Sequence, residues 1–273
     1  MNRLTWLLAA LLCAPLAAQE KLSHGRFHDL SVYRPQGEVR QFVLFLSGDG
    51  GWESDVRGIA RGLADRGAMV VGIDTSRLLA TLEADAAGCV YPAGDLENLS
   101  HYLQGFALLP TYHTPLLVGY SSGASLAYAA VAQAPEGTFM GVMTLGFCAD
   151  LELSKPLCRG DGVHFTRRPD GKAVKLLPSP KFPQDWIAFN GTRDKACPIA
   201  HARKFAAQVP RAQFIELHRS GDEAGGFGIV VKDTLGQLAT YESNQRAHSS
   251  RPAQMQQDPL QLLLARSRQR RRF

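Results

Sequence analysis

The pentapeptide Gly119-Tyr120-Ser121-Ser122-Gly123 constrains the fold of this 273-residue chain more than any other segment. It has the form GxSxG, follows the apolar run 115–118 and precedes the helix-forming stretch 124–133. Strand, tight turn and helix in that order are the context of a nucleophile elbow, in which the turn strains the serine backbone and exposes its hydroxyl. Glycines two residues to either side avoid the collisions that a Cβ would make with the neighbouring strand or helix. Ser121 is therefore the candidate nucleophile; the alternative is a Ser/Gly-rich loop without a chemical role.

Apolar runs recur along the chain in alternation with amphipathic patterns. Near-continuous apolar runs are typical of strands that are covered on both faces, and the segments between them have helical spacing. An irregular strand or hairpin arm at 24–34 comes first. The runs predict strands at 39–46, 68–73, 115–120, 139–145, 186–190 and 212–217, and helices at 53–66, 95–109, 124–133 and 199–208. This alternation predicts an α/β-hydrolase-like fold, a mostly parallel, doubly wound sheet.

A long insertion, at about 147–183, interrupts the alternation after the strand that follows the elbow. It is rich in Lys, Arg, Pro and Gly. Insertions at this place in such folds form lids that shape substrate choice. Its basic residues either form a solvated loop or attract an anionic lipid headgroup; they are Lys155, Arg159, Arg167, Arg168, Lys172 and Lys175.

A glycine-rich segment, Ser47-Gly48-Asp49-Gly50-Gly51-Trp52, follows the first buried strand. Glycine permits close approach of the backbone to a ligand, and the amides of such a loop can donate to an anion. In a serine hydrolase this loop supplies one oxyanion donor, and the residue after the nucleophile supplies the other. We assign these donors to the amide of Asp49 or Gly50 and to the amide of Ser122. An ordinary strand-to-helix turn is the alternative for the loop.

The remaining members of a catalytic triad are sought in the second half of the chain. Asp194 lies just past the predicted strand 186–190, where this fold keeps the carboxylate that orients its histidine, and a turn or helix cap is its alternative role. The histidine belongs in the loop after the last strand, because it must take the serine proton and return it to the leaving group. His218 directly follows that strand, and His248 lies in a polar tail. The third alternative is that the chain carries no working base.

The amino terminus has the pattern of an exported protein. Met1-Asn2-Arg3, an apolar run and then small residues predict a signal peptide over 1–18 and a periplasmic location. Leu12 precedes Cys13 where a lipoprotein signal would have a small residue, which disfavours lipidation.

Four cysteines follow the predicted signal peptide, namely Cys89, Cys148, Cys158 and Cys197. An even number in an exported protein predicts two disulfides, with buried free thiols as the alternative. Cys148 and Cys158 bracket one short excursion and are expected to pair, which leaves Cys89 with Cys197. Metal binding is not indicated, because no CxxC spacing or helical histidine pair accompanies them.

The net charge of +5 is concentrated at the carboxyl terminus. Seven arginines and one aspartate give 246–273 a charge of +6, so the rest of the chain sums to −1. The basic character therefore describes a tail and does not indicate a nucleic-acid-binding face.

Four motifs in order carry a resemblance to a known family: 47–52, Tyr91-Pro92-Ala93-Gly94-Asp95, the elbow, and Gly191-Thr192-Arg193-Asp194 followed by Cys197-Pro198. Through them the chain resembles the bacterial VirJ/AcvB virulence family over about 39–217. The resemblance implies a periplasmic α/β-hydrolase-type domain, with Ser121 matching the family nucleophile and Asp194 its acid. Members of the family are linked to hydrolysis of aminoacyl-phosphatidylglycerol, and some to type IV secretion. No metal or organic cofactor is implied.

The chain departs from the family where the histidine belongs. The family has a Gly-His-Gly-Phe segment after the last strand, whereas this chain has Ala224-Gly225-Gly226-Phe227. Beyond it, 237–273 is rich in Gln, Ser and Arg, either as a disordered natural extension or as the product of a frameshift. We therefore predict a signal peptide at 1–18, a hydrolase-like domain at 19–240 and a tail at 241–273. The expected function is that of an esterase acting on lysyl- or alanyl-phosphatidylglycerol, or that of a catalytically impaired binding module serving type IV secretion.

Overall fold

A computed structural model describes residues 21–217. Several predictions lie outside the described residues: the signal peptide, His218, His248, the segment around Gly225 and the basic tail. The domain bounds at 18 and 240 lie there as well.

The described chain is built on an eight-stranded sheet. Its strands are β1 (Lys21–His24), β2 (Phe27–Tyr33), β3 (Gln41–Leu46), β4 (Ala68–Ile73), β5 (Leu116–Tyr120), β6 (Gly141–Leu145), β10 (Asp185–Gly191) and β11 (Ala212–Leu217). They lie side by side in the order β1-β2-β4-β3-β5-β6-β10-β11. Six of them run parallel from β4 to β11, and β2 is antiparallel to both of its neighbours, β4 and β1.

The parallel strands form where the sequence is continuously apolar. Every residue of β3, β4 and β10 is buried, because helices cover both faces of the sheet. The apolar side chains accordingly form two clusters, one built around Phe42, Leu44 and Leu46 and the other around Val43 and Phe45. The predicted α/β-hydrolase-like sheet is confirmed.

Five helices accompany the sheet: α1 (Ser54–Ala64), α2 (Thr75–Ala84), α3 (Pro92–Phe106), α4 (Ser122–Gln133) and α5 (Ile199–Ala206). Helix α3 begins three residues before the predicted start, since Pro92 takes the first helical position, where its missing N–H removes no hydrogen bond. Helix α4 is buried from Gly123 to its end, and it packs against β5 and β6. Within 21–217, no helix combines the length and apolar character needed to cross a bilayer.

The insertion at 147–183 folds onto the core as a second, three-stranded antiparallel sheet. Its strands are β7 (Asp150–Leu151), β8 (His164–Arg167) and β9 (Val174–Leu177), in the order β7-β9-β8. Phe147 and Phe182 are buried against Tyr128 of α4, with ring centroids 5.3 and 4.8 Å from the tyrosine ring. The insertion is therefore anchored in the core, and its action as a lid stays a prediction.

Basic side chains of the insertion have partners within the chain. The Lys155 amine donates to the Asp85 carbonyl, and the Arg167 guanidinium to the Ser154 carbonyl. Arg168 pairs with Asp170 at 2.7 Å on the surface. For these three side chains the contacts favour a structural and solvated role over lipid attraction.

The disulfide pairing differs from the prediction. Cys89 bonds Cys158, with Cα atoms 4.9 Å apart, and Cys148 bonds Cys197, with Cα atoms 5.3 Å apart. The predicted Cys148–Cys158 pair is wrong because the chain leaves the end of β6 after Cys148 and reaches the loop between α2 and α3 before Cys158. There the Cys158 amide donates to the Val90 carbonyl at 2.8 Å. Sequence proximity therefore did not correspond to proximity in space.

Candidate active site

The candidate site residues lie at one edge of the sheet. The 47–51 loop follows β3, Ser121 follows β5 and Asp194 follows β10. These strands are parallel, so their carboxyl ends meet at the same edge, which is where doubly wound sheets place ligands.

Ser121 occupies a strained backbone conformation between β5 and α4. Its φ is 53° and its ψ is −121°, a region that side chains with a Cβ adopt at a cost of about 1–3 kcal/mol. The conformation is held from both sides, because the Ser121 amide donates to Leu145 at 2.9 Å and its carbonyl accepts from Ala124 at 2.8 Å. Hydrogen bonds on both sides of a strained residue stabilise its conformation against relaxation. The backbone thus has the geometry predicted for a nucleophile elbow.

The two glycines of the pentapeptide allow the close approach that this turn requires. A Cβ on Gly119 would lie 2.2 Å from the Gly123 carbonyl oxygen, and one on Gly123 would lie 2.2 Å from the Ser47 carbonyl oxygen. Both obstacles are backbone atoms, so no side-chain rotation relieves the clash.

We expect Gly123→Ala to lower the free energy of unfolding by about 3 kcal/mol, since helix α4 must shift to admit the methyl group. Urea denaturation measures the change. The matched control is Gly58→Ala in α1, where an added Cβ meets nothing within 4 Å and is expected to stabilise the helix by up to about 1 kcal/mol. Equal stability of the two variants would contradict the close packing of the elbow against β3.

The 47–51 loop is fixed against the elbow. The Gly51 amide donates to the Gly48 carbonyl at 3.0 Å, and the Ser76 hydroxyl donates to the Asp49 carbonyl at 2.9 Å. A Cβ on Gly48 would lie 3.1 Å from the Cβ of Ser121, so the loop and the serine are in contact. Close packing of this kind places the loop backbone beside Ser121.

The amides assigned as oxyanion donors are available in this arrangement. Within 21–217, the amides of Asp49 and Gly50 donate to no protein acceptor. Ser122 is the first residue of α4, where the amide has no intrahelical acceptor. The partial positive charge of the helix amino terminus adds to its ability to stabilise an anion.

The carboxylate of Asp49 was not identified from the sequence, which indicated only the backbone of this loop. The Ser121 hydroxyl donates to Asp49 Oδ2 over 3.4 Å, a long hydrogen bond on the exposed side of the elbow. No local sequence pattern predicts this contact, because it joins residues that are 72 positions apart.

Asp194 is buried in the turn after β10, with 8% of its surface exposed. Its Oδ1 accepts the Cys197 amide at 2.7 Å, so the turn-capping role considered for it is present. A carboxylate has two oxygens and room for about four donors, so capping is compatible with orienting an imidazole. The disulfide from Cys197 to Cys148 ties this turn to the end of β6.

The described chain ends beside the Asp194 turn. Leu217, the last residue of β11, pairs with Gly191 of β10 and accepts the Thr192 amide at 3.0 Å. His218 is the next residue in the sequence, and it lies, like His248, outside the described residues.

The histidines within 21–217 lie elsewhere or have other contacts. His24 stacks on Tyr102 at 3.7 Å and His101 on Tyr112 at 4.4 Å, both along α3. His201 of α5 lines a cavity of about 200 Å³ beside the Cys148–Cys197 disulfide, together with Asp150, Lys175 and Phe205.

A mostly parallel sheet with an antiparallel hairpin at its edge, and a strained serine between the fifth strand and its following helix, define a protein of the α/β-hydrolase fold. Residues 40–154 match the family described as bacterial virulence protein (VirJ). The resemblance seen in the motifs is thereby confirmed over a segment that holds the 47–51 loop and the elbow. Asp194 lies beyond the matched residues.

Solved structures that match this chain include esterases of low sequence identity. Thermogutta terrifontis esterase 2 phosphorylated by paraoxon is 17% identical, with 78% of this chain and 88% of that chain covered and a TM-score of 0.47. The esterase domain of a Rhodothermus marinus protein is 17% identical, with coverages of 78% and 92% and a TM-score of 0.49. Est1E from Butyrivibrio proteoclasticus is 13% identical, with coverages of 77% and 94% and a TM-score of 0.46. No curated protein sequence gives a match.

Proposed function

We propose that this protein is a periplasmic serine esterase that hydrolyses the aminoacyl ester of lysyl- or alanyl-phosphatidylglycerol. The observation that carries the proposal is the strained Ser121 backbone packed against a loop with unoccupied amides. Strain of this kind persists where surrounding structure maintains it, and it clusters at sites of chemistry. The choice of substrate follows from the resemblance to the VirJ/AcvB family, whose model matches residues 40–154 and whose members are linked to hydrolysis of aminoacyl-phosphatidylglycerol.

In the proposed reaction, the Ser121 oxygen attacks the carbonyl carbon of the aminoacyl ester while its proton passes to a base. The amides of Ser122 and of Asp49 or Gly50 stabilise the oxyanion. The tetrahedral intermediate collapses, the base returns the proton to the leaving oxygen, and phosphatidylglycerol departs with its hydroxyl restored. Water, deprotonated by the same base, then attacks the aminoacyl-serine. The base returns that proton to the Ser121 oxygen as the amino acid is released.

The base in this proposal is His218, with Asp194 fixing its tautomer and stabilising its cation. The support is positional: β11 ends beside the turn that carries Asp194, and position 218 follows directly. Removal of the amino acid restores the net negative charge of the lipid. No cofactor takes part.

The proposed location is the periplasm. All four cysteines of the described chain form disulfides, which persist in oxidising compartments. The predicted signal peptide at 1–18 supplies the export route.

A binding module acting with type IV secretion components is the second candidate. One observation favours it: Gly225 stands where the resembling family has its histidine. Without a base to activate Ser121, the protein would bind an ester or a partner but would not hydrolyse it.

The test compares the purified protein with Ser121→Ala on micelles that contain lysyl- or alanyl-phosphatidylglycerol, with release of the free amino acid as the measurement. We expect release by the unchanged protein and at least about a thousandfold less by the variant. The control variant is Ser23→Ala, in the edge strand β1. It shows whether loss of any serine hydroxyl lowers the release. Equal release by the unchanged protein and Ser121→Ala would refute the esterase proposal.

A fluorophosphonate probe separates the two candidates. Labelling that depends on Ser121 identifies an activated serine and contradicts the binding module. Absence of labelling, together with retained binding of the lipid, supports the binding module.

A further inference from the structure

The carboxylate of Asp49 lies at the candidate nucleophile. Asp49 Oδ2 accepts the Ser121 hydroxyl over 3.4 Å, and the Asp49 carbonyl is held by the Ser76 hydroxyl at 2.9 Å. Gly48 packs closely against the next two residues of the site. A Cβ at Gly48 would lie 3.0 Å from Tyr120 Cδ1 and 3.1 Å from Ser121 Cβ. The carboxylate is therefore held beside the serine by the same loop to which we assign one oxyanion donor.

A negative charge in this place opposes ordinary ester hydrolysis. The tetrahedral intermediate develops negative charge on the carbonyl oxygen, and a carboxylate beside it repels that charge. Within 21–217, no basic side chain pairs with Asp49. Asp74, close to the same loop, instead caps α2 through the Arg77 amide at 3.1 Å and has Arg77 Nε 3.6 Å from its carboxylate. A cationic group of the substrate would therefore be the first charge partner of the Asp49 carboxylate within the described residues.

We propose that the Asp49 carboxylate binds the α-ammonium group of an aminoacyl ester and so selects aminoacyl esters over simple acyl esters. This inference rests on the proposed esterase function and deepens it. In an aminoacyl ester the ammonium nitrogen lies about 2.5 Å from the carbonyl carbon. A carbonyl carbon in contact with the Ser121 oxygen therefore brings the ammonium within reach of Asp49. A hydrogen bond between the α-ammonium and the carboxylate is charge-assisted and therefore stronger than a neutral one.

The test uses two substrates that differ in one group, alanyl- and propionyl-phosphatidylglycerol in micelles, with kcat/KM as the measurement. The unchanged protein is expected to prefer the alanyl ester. Asp49→Asn retains the side-chain size and an acceptor for Ser121 but removes the charge. We expect it to lower kcat/KM for the alanyl ester by about 10- to 100-fold, and to raise kcat/KM for the propionyl ester several-fold by removing the repulsion of the oxyanion.

The control variant is Glu38→Gln, which removes the same charge from an exposed position before β3, at the opposite edge of the sheet. It is expected to leave kcat/KM unchanged for both the alanyl and the propionyl ester. An equal loss on both esters in Asp49→Asn would overturn the proposal, because it would indicate a base or a structural role for Asp49. An unchanged preference in Asp49→Asn would overturn it as well.

A binding measurement distinguishes failure of this inference from failure of the esterase proposal. The Ser121→Ala variant, alone and combined with Asp49→Asn, is titrated with alanine methyl ester and methyl propionate while amide resonances are followed by NMR. We expect the ammonium-bearing ester to bind at least about tenfold more tightly, and the preference to disappear with Asp49→Asn. This preference needs no turnover, so it holds even for a catalytically impaired protein. Equal affinities of Ser121→Ala for the two esters would refute the role of Asp49, whatever the activity.

Discussion

Ser121→Gly is expected to abolish ester hydrolysis and, at the same time, to stabilise the fold by about 1 kcal/mol. The activity falls by at least roughly a thousandfold because the attacking oxygen is gone. The stability rises because glycine adopts a positive φ readily, so the strain at φ 53° disappears. The gain is smaller than the strain itself, since glycine also raises the entropy of the unfolded chain. Thermal and urea denaturation give the free energy of unfolding, and amino-acid release gives the activity.

Two control comparisons isolate the strain from other effects of the substitution. Ser121→Ala removes the same hydroxyl but retains the Cβ, so it is expected to lose activity without gaining stability. At an ordinary helical position the alanine variant is expected to be more stable than the glycine variant. In α5, Lys204→Gly is expected to be less stable than Lys204→Ala by about 1 kcal/mol.

The sign of the glycine-minus-alanine difference is therefore the decisive result. If glycine at position 121 is less stable than alanine, as at position 204, the strained elbow geometry is contradicted. The stability result does not require the protein to be active. It therefore tests the site geometry separately from the question of which residue acts as the base.

The sheet was predictable because its parallel strands coincide with uninterrupted apolar runs in the sequence. Runs such as 42–46 and 186–190 are too apolar to be exposed on either face, so a covered parallel sheet follows from composition alone. Predicted strand bounds differ from the observed ones by one or two residues for β3, β5, β6 and β10. The three-stranded sheet of the insertion was not predicted. Its strands are short, and β8 is mostly exposed, so no periodic signal distinguishes it from a loop.

The site was predictable only where a local motif encodes it. The turn at Ser121 depends on the two glycines around it, whose spacing is visible in the sequence. The contact between Asp49 and Ser121 and the two disulfides join segments that are far apart in the chain, and their proximity depends on how loops cross the sheet edge. Sequence spacing favoured Cys148 with Cys158 because loop closure costs least over a short distance, but the intervening chain takes another direction.

Removal of either disulfide is expected to lower the free energy of unfolding by about 4 kcal/mol. The bonds close segments separated by 69 and 49 residues, and cross-links over such lengths restrict the unfolded chain by about that amount. The paired variants Cys89→Ala/Cys158→Ala and Cys148→Ala/Cys197→Ala avoid free thiols. Urea denaturation of each pair measures the loss.

The two pairs are expected to differ in activity. The Cys148–Cys197 bond ties the Asp194 turn to the end of β6, and the Cys197 amide donates to the Asp194 carboxylate, so its removal loosens the proposed acid and lowers kcat. Cys89–Cys158 joins the α2–α3 loop to the insertion, and its removal is expected to act on stability alone. Peptide mapping without reduction checks the connectivity, where a Cys148–Cys158 peptide would contradict the structure. Equal loss of kcat in both variants, measured where both are folded, would show that the turn holds Asp194 without its disulfide.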